Sequence, residues 1–265
     1  MAGLTTPVVV VGGGVMGAAV AGGLAANGWQ QVTVVEARPG RRAELAEMGG
    51  FRVSATAATP VASAAVVCLL VKPKDVALAL AEVAPALPVD CCVVSMCAGV
   101  RLATLAAGLP PATPIVRAMP NTPAQVGMGM SVLSPGPDVS PGQLQLVGEL
   151  LGAVGRTMVL PETLQDAATA VSGSGPAYVC YLAESMIEAG VQQGLSRAQA
   201  TELVVATIEG TAALLGEGSH PTLLRESVTS PGGTTAAAIR QLDAHAVRGA
   251  VADALWAAHD RSRAG

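Results

Sequence analysis

Val8-Val9-Val10-Val11-Gly12-Gly13-Gly14-Val15-Met16-Gly17 is the stretch from which the fold of this chain is read. Four consecutive valines predict a strand buried on both faces. The glycines after them predict a tight turn into a helix of small residues, Ala18 to Ala26, stopped by Asn27-Gly28. The spacing Gly12-x-Gly14-x-x-Gly17 assigns one glycine to the turn, one to close approach of a pyrophosphate and one to packing of helix on strand. A second apolar run, Val32 to Val35, ends on Glu36, nineteen residues after Gly17, where the pattern expects an acid for ribose hydroxyls. Strand, turn, helix, strand and acid together predict a dinucleotide site.

Glu36 alone favours NADH, because a carboxylate repels the extra phosphate of NADPH. Arg38, Arg41 and Arg42 argue the other way. They crowd the turn and helix after the second strand, where guanidinium groups pair with a 2'-phosphate bidentately. The chain has only 15 basic residues, so three within five positions is a dense cluster. The expected cofactor is NADPH, with NADH also accepted.

Working outward, short apolar runs alternate with helical patterns: Ala65 to Leu70, Cys91 to Ser95, Pro114 to Arg117, Met130 to Leu133 and Arg156 to Leu160 read as further strands. Val71-Lys72-Pro73 and Met96-Cys97-Ala98-Gly99 follow strand ends, which line the ligand crevice in such sheets. Beyond Pro161 the pattern is helical throughout. The expected fold is α/β: a Rossmann-type dinucleotide-binding domain over residues 1–161, then an all-helical domain over 162–265. A long helix starts near Pro176 and runs to about Gln193, and Ser196 caps the next. A helical domain of this size, rich in Ala and Leu, is too thin to bury its own apolar faces, so it is expected to pair with a second copy.

Composition narrows the function classes. At 265 residues with 51% hydrophobic content the core is ample, while a net charge of −4 and 2% aromatic content argue against a nucleic-acid partner. No charge precedes Glu36, yet the glycine-rich start lacks both the basic lead of a secretory signal and the uninterrupted apolar length of a membrane span. Cys68, Cys91, Cys92, Cys97 and Cys180 are odd in number and lack metal spacing, as expected of free thiols in a reducing cytoplasm. His220, His245 and His259 are scattered and form no metal site. Arg117, at a strand end, is either a cofactor contact or one half of a structural pair.

Near the other end of the chain, Ser230-Pro231-Gly232-Gly233-Thr234-Thr235 places glycines and hydroxyls where a helix begins. The leading amides of a helix lack intrahelical partners and carry partial positive charge, so a carboxylate docks there well. Alcohol or ketone reduction needs an acid–base group, commonly a lysine of the helical domain or of a Tyr-x-x-x-Lys motif. The only lysines, Lys72 and Lys74, lie in the first domain, and neither Tyr178 nor Tyr181 has one nearby. A protonated C=N bond is already electrophilic and escapes that requirement. The expected substrate therefore carries both an imine and a carboxylate. Ser230, Gly232, Gly233 and Thr234 are assigned to the carboxylate, and Thr235 to the ring nitrogen as the catalytic hydrogen-bonding group.

The chain resembles the pyrroline-5-carboxylate reductase family in five segments along nearly its whole length: Gly12 to Gly17, Val71-Lys72-Pro73, Arg117 to Pro123, Ser172 to Tyr178, and Leu224 through Leu242 around Ser-Pro-Gly-Gly-Thr-Thr. The resemblance implies hydride transfer from NAD(P)H to 1-pyrroline-5-carboxylate, giving L-proline. It also implies a swapped helical homodimer, built up in some members into a decamer, a ring of dimers. It places Val15, Met16 and their neighbours at the pyrophosphate, Val71, Lys72 and Pro73 along the adenosine and ribose, and Ala98 with Asn121 on the nicotinamide side. The carboxylate loop commonly serves the partner subunit. Val15 departs from the family, standing where a polar residue is usual. Two other readings fit the residues: a reductase of six-membered cyclic imines, since one ring methylene is worth only about 1–3 kcal/mol, and a nucleotide-binding sensor without turnover.

Overall fold

The computed structural model describes residues 4–264. By internal packing these divide into two compact units, one running through Ser174 and rejoined from Ala258, the other Gly175–Ala257.

The first unit is a doubly wound sheet. Its strands are β1 (Val8–Val11), β2 (Val32–Val35), β3 (Arg52–Ser54), β4 (Val66–Leu69), β5 (Cys92–Ser95), β6 (Ile115–Met119), β7 (Gly129–Pro135) and β8 (Gly155–Val159). They lie side by side in the order β3-β2-β1-β4-β5-β6-β7-β8. All neighbours run parallel except β6 and β7. The helices of this unit are α1 (Val15–Ala26), α2 (Pro39–Met48), α3 (Ala58–Val61), α4 (Val76–Val83), α5 (Leu102–Ala107), α6 (Pro141–Gly152) and α7 (Gln165–Ala168).

Alternation along β1 shows why the sheet needs two helical layers. Val8 and Val10 face a core built with Leu24 of α1, Leu45 of α2 and Val147, Leu150 and Leu151 of α6. Val9 and Val11 face the opposite core, built with Val61, Val76, Leu80, Val83 and Leu105 of α3, α4 and α5. All four valines are buried, as a parallel strand covered on both faces requires. The strand expectations hold to within a residue or two except at β3, a three-residue edge strand whose Arg-Val-Ser sequence carries no apolar run.

Four of the five cysteines are buried in this sheet, all five are unpaired thiols, and Cys180 is exposed. Burial pushes the Cys91 and Cys92 thiols up to about 12, far from the thiolate form needed for reaction.

Buried charge ties β6 to the segments that follow β8. Arg117 on β6 is only 4% exposed. It pairs with Glu162 at 3.2 Å and with Asp166 at 4.0 Å. Glu162 also accepts the Leu102 N–H at 2.7 Å, and Asp166 accepts the Ser262 hydroxyl at 2.7 Å. Arg117 is therefore one half of a structural pair. Through Asp166 the returning end of the chain is anchored to the sheet unit.

The second unit contains α8 (Gly175–Gln192), α9 (Arg197–Gly216), α10 (Pro221–Ser227), α11 (Thr234–Ala244) and the larger part of α12 (Val247–Ala264). Ser196 caps α9 through a full capping box with Gln199. His220 caps α10, its Nδ1 accepting the Thr222 N–H at 3.3 Å. Among the described residues no helix is long and apolar enough to cross a membrane.

Glu162→Ala would strand the buried Arg117 guanidinium beside its more distant partner and free the Leu102 amide. The expected cost is about 3 kcal/mol of folding free energy, read as a lower midpoint in urea denaturation at unchanged slope.

Candidate active site

The strand order reverses between β1 and β4, and the carboxyl ends of both strands open at the same edge. Backbone bonds align that edge: Gly12 N–H to Val35 O at 2.9 Å, Leu70 N–H to Val11 O at 2.8 Å, and Met96 N–H to Leu69 O at 2.9 Å. The glycine turn, Glu36, the Val71-Lys72-Pro73 turn and the Met96 to Gly99 loop thus follow adjacent strands.

Each glycine of the turn has its own steric reason. Gly12 has φ +110°, a conformation L side chains resist, and a side chain there would run into the Leu70 carbonyl. A side chain on Gly17 would overlap the Gly12 carbonyl, so this glycine sets how closely α1 packs on the turn. Gly14 faces open space and starts α1 with no side-chain cap. The first intrahelical bond runs from Ala18 N–H to Gly14 O at 2.9 Å, so the amides of Val15, Met16 and Gly17 precede it. An open glycine cradle at an uncapped helix start fits a pyrophosphate. Val15 is 65% exposed there and offers no polar side-chain atom.

Gly13, an unspecified position in the expected spacing, is constrained as well. A side chain on it would overlap Leu45 of α2 and crowd Glu36. Its N–H donates to Glu36 Oε2 at 3.2 Å and its carbonyl accepts from Arg41 Nε at 2.7 Å. A contact across 28 residues leaves no mark in local spacing, and only a third consecutive glycine hints at it.

The arginine cluster is divided in its work. Arg42 Nη1 donates to the carbonyls of Glu36 and Ala37, at 3.0 and 2.6 Å. Arg41 is occupied by Gly13 and by Glu44 at 2.6 Å. Arg38 lies on Glu36 with its side chain 70% exposed. This hydrogen-bonded pair holds the Glu36 carboxyl below its ordinary range despite burial.

Of the remaining sequence-assigned residues, Lys72 and Pro73 are exposed, Ala98 is exposed beyond the buried Cys97, and Gly99 turns the loop at φ +75°. Asn121 follows β6 with its amide engaged at both ends: Nδ2 donates to the carbonyl and hydroxyl of Ser172 at 3.1 and 3.3 Å, and Oδ1 accepts the Met130 N–H at 2.8 Å. It braces a π-helical turn, Thr169–Gly173, of a kind concentrated at functional sites.

The second group of assigned residues lies in the helical unit. Gly232 has φ +70°, Gly233 caps α11, and Thr234 and Thr235 are its first two residues. No side chain caps this helix. The first intrahelical bond, Ala237 N–H to Gly233 O at 3.1 Å, leaves the amides of Thr234, Thr235 and Ala236 ahead of it. A side chain on Gly233 would overlap the Ser230 hydroxyl as it stands, so this glycine lets the hydroxyl lie close to the helix start.

The chain is 41% identical to the pyrroline-5-carboxylate reductase of Corynebacterium melassecola over 97% of both proteins. It belongs to the pyrroline-5-carboxylate reductase family. Residues 162–265 match the family described as pyrroline-5-carboxylate reductase dimerisation, and residues 7–99 match that described as NADP oxidoreductase, coenzyme F420-dependent. Among solved structures the chain is similar to a pyrroline-5-carboxylate reductase from Coxiella burnetii, with a TM-score of 0.92 and 32% identity over 98% of both chains. It is similar also to a pyrroline carboxylate reductase from Plasmodium falciparum with NADP bound, with a TM-score of 0.87 and 28% identity over 98% of both chains. The reductase family thus covers the glycine turn, the Asn121 brace and the start of α11 in one chain.

Gly13→Ala tests the unexpected glycine. Overpacking against Leu45 and Glu36 should cost about 1–3 kcal/mol of stability, seen in thermal denaturation, and nucleotide binding by titration calorimetry should weaken in parallel. A variant with wild-type stability and affinity would show that the turn yields without consequence.

Proposed function

We propose that the protein reduces the C=N bond of 1-pyrroline-5-carboxylate to L-proline with NADPH as the preferred reductant and NADH also accepted, the last step of proline biosynthesis. The observation that carries the reading is the full-length relation to named reductases together with an uncapped Ser-Pro-Gly-Gly-Thr-Thr helix start in the same chain. The nicotinamide supplies a hydride when bound.

The amides of Gly14, Val15, Met16 and Gly17, with Gly12 shaping the turn, hold the pyrophosphate. Arg38 meets the 2'-phosphate, and Val71, Lys72 and Pro73 flank the adenosine. Ala98 and Gly99 border the nicotinamide, and Asn121 keeps that side in shape through Ser172. The carboxylate of the substrate is received by Ser230, Gly232, Gly233 and the leading amides of α11 at Thr234 and Thr235, where helix polarity favours an anion. The Thr235 hydroxyl hydrogen-bonds the ring nitrogen and orients the C=N bond. No lysine acid is required, because the protonated imine is already electrophilic.

The exposed apolar side chains of the helical unit, among them Tyr181, Leu182, Leu203 and Trp256, support its burial in a homodimer, from which a decamer could be assembled as a ring. Free thiols support a cytoplasmic setting.

Purified protein should consume NADPH absorbance on addition of 1-pyrroline-5-carboxylate, with proline identified as product. Silence with both NADPH and NADH would overturn the reading. Thr235→Ala should lower turnover by about 10- to 100-fold, the equivalent of one buried hydrogen bond, while the dissociation constant of NADPH stays the same. Parallel loss of both would mark Thr235 as a folding residue. Arg38→Met should raise the KM for NADPH more than that for NADH; equal changes would remove Arg38 from the 2'-phosphate.

A further inference from the structure

We propose that Glu36 is a positioning residue for recognition of the 2'-phosphate, holding Arg38 in place, and is not a ligand of the ribose. The proposal rests on the dinucleotide reading above and concerns what this acid does within it.

Glu36 ends β2 and is only 7% exposed. Its oxygens are fully committed. Oε1 accepts the Arg38 backbone N–H at 2.9 Å and Arg38 Nε at 3.0 Å. Oε2 accepts the Gly13 N–H at 3.2 Å and Arg38 Nη2 at 3.2 Å. Four donors occupy the roughly four lone-pair positions of a carboxylate. A ribose diol would have to displace one of them, and displacing Arg38 would leave a buried anion without its cation.

The same bonds prepare a phosphate site. Arg38 approaches Glu36 through Nε and Nη2, which fixes the plane of a guanidinium whose side chain is 70% exposed. The rest of that fork meets no acceptor among the described residues and suits phosphate oxygens. Pairing also cancels the repulsion a bare carboxylate would exert on an incoming phosphate. Arg41 donates to the Gly13 carbonyl and to Glu44, and Arg42 to the carbonyls of Glu36 and Ala37, so Arg38 is the one of the three whose guanidinium plane is set by Glu36. Holding it in advance lowers the ordering cost of binding.

The consequence inverts the usual expectation for an acid at this position. Removing a ribose ligand should weaken NADH and favour NADPH. Removing a positioning acid should do the reverse.

The test measures binding of adenosine 2',5'-bisphosphate and of 5'-AMP by calorimetry to wild type, Glu36→Gln, Arg38→Met and the double variant, with circular dichroism as the check on folding. Wild type should prefer the bisphosphate. Glu36→Gln should bind it about tenfold more weakly, the worth of a charge-assisted hydrogen bond, with 5'-AMP little changed. The double variant should be no worse than Arg38→Met, because Glu36 acts through Arg38. Weaker 5'-AMP binding with a larger bisphosphate preference in Glu36→Gln would make Glu36 a ribose ligand and overturn the proposal. Equal losses for both ligands, additive in the double variant, would reduce it to a folding role. Wild type that binds neither fragment nor NADPH would overturn the dinucleotide reading itself, and this proposal with it.

Discussion

How closely α1 approaches the end of β1 governs the whole ligand edge of the sheet. The approach is possible because Gly17 has no side chain to strike the Gly12 carbonyl and Gly12 none to strike Leu70. With the helix drawn in, its leading amides point over the carboxyl ends of β1 and β4, where the strand order reverses. A methyl group at either glycine would push the helix out and disperse the anion site. Backbone proximity thus sets the electrostatics: partial positive charge concentrates at the helix start, which has no side-chain cap among the described residues.

Around that turn, side chains act mainly on backbone. Glu36 and Arg41 grip the two ends of the Gly13 peptide unit's own residue, Arg42 secures the end of β2, and Asn121 joins the exit of β6 to the π-helical turn. The buried Arg117 network does the same beyond β6, where Glu162 holds the start of α5 and Asp166 takes the Ser262 hydroxyl. In each case a charged or amide group satisfies polar atoms that burial would otherwise leave without water. Loops that follow strand ends are thereby held in one conformation, as binding loops must be.

Much of this architecture was legible in the residues. The valine run, the glycine spacing, the Asn27-Gly28 stop and the Ser196 cap report on neighbours a few positions away, and those local rules survive in the folded chain. The start of α11 was equally readable, since Pro-Gly-Gly cannot continue a helix and two threonines can begin one. The arginine cluster is divided by contacts that its density along the chain does not show. Sequence density placed Arg38, Arg41 and Arg42 together, whereas three-dimensional contacts give Arg41 and Arg42 to carbonyls and leave only Arg38 outward. Gly13 and the short β3 were missed because their partners, Leu45 and β2, supply the reason for them.

The sequence by itself determined the fold class, the glycine turn, the ends of α1 and α8, the starts of α9 and α11, and the family, because hydrophobic period, turn chemistry and caps are local properties of the chain. Only the tertiary structure decided that Glu36 faces Gly13 and Arg38, that Arg117 is a structural pair, that Asn121 braces Ser172, and that Ser262 returns to Asp166. Those contacts join residues from 2 to 96 positions apart. Which acceptor a buried donor finds depends on what the folded chain brings beside it, and no local pattern encodes that.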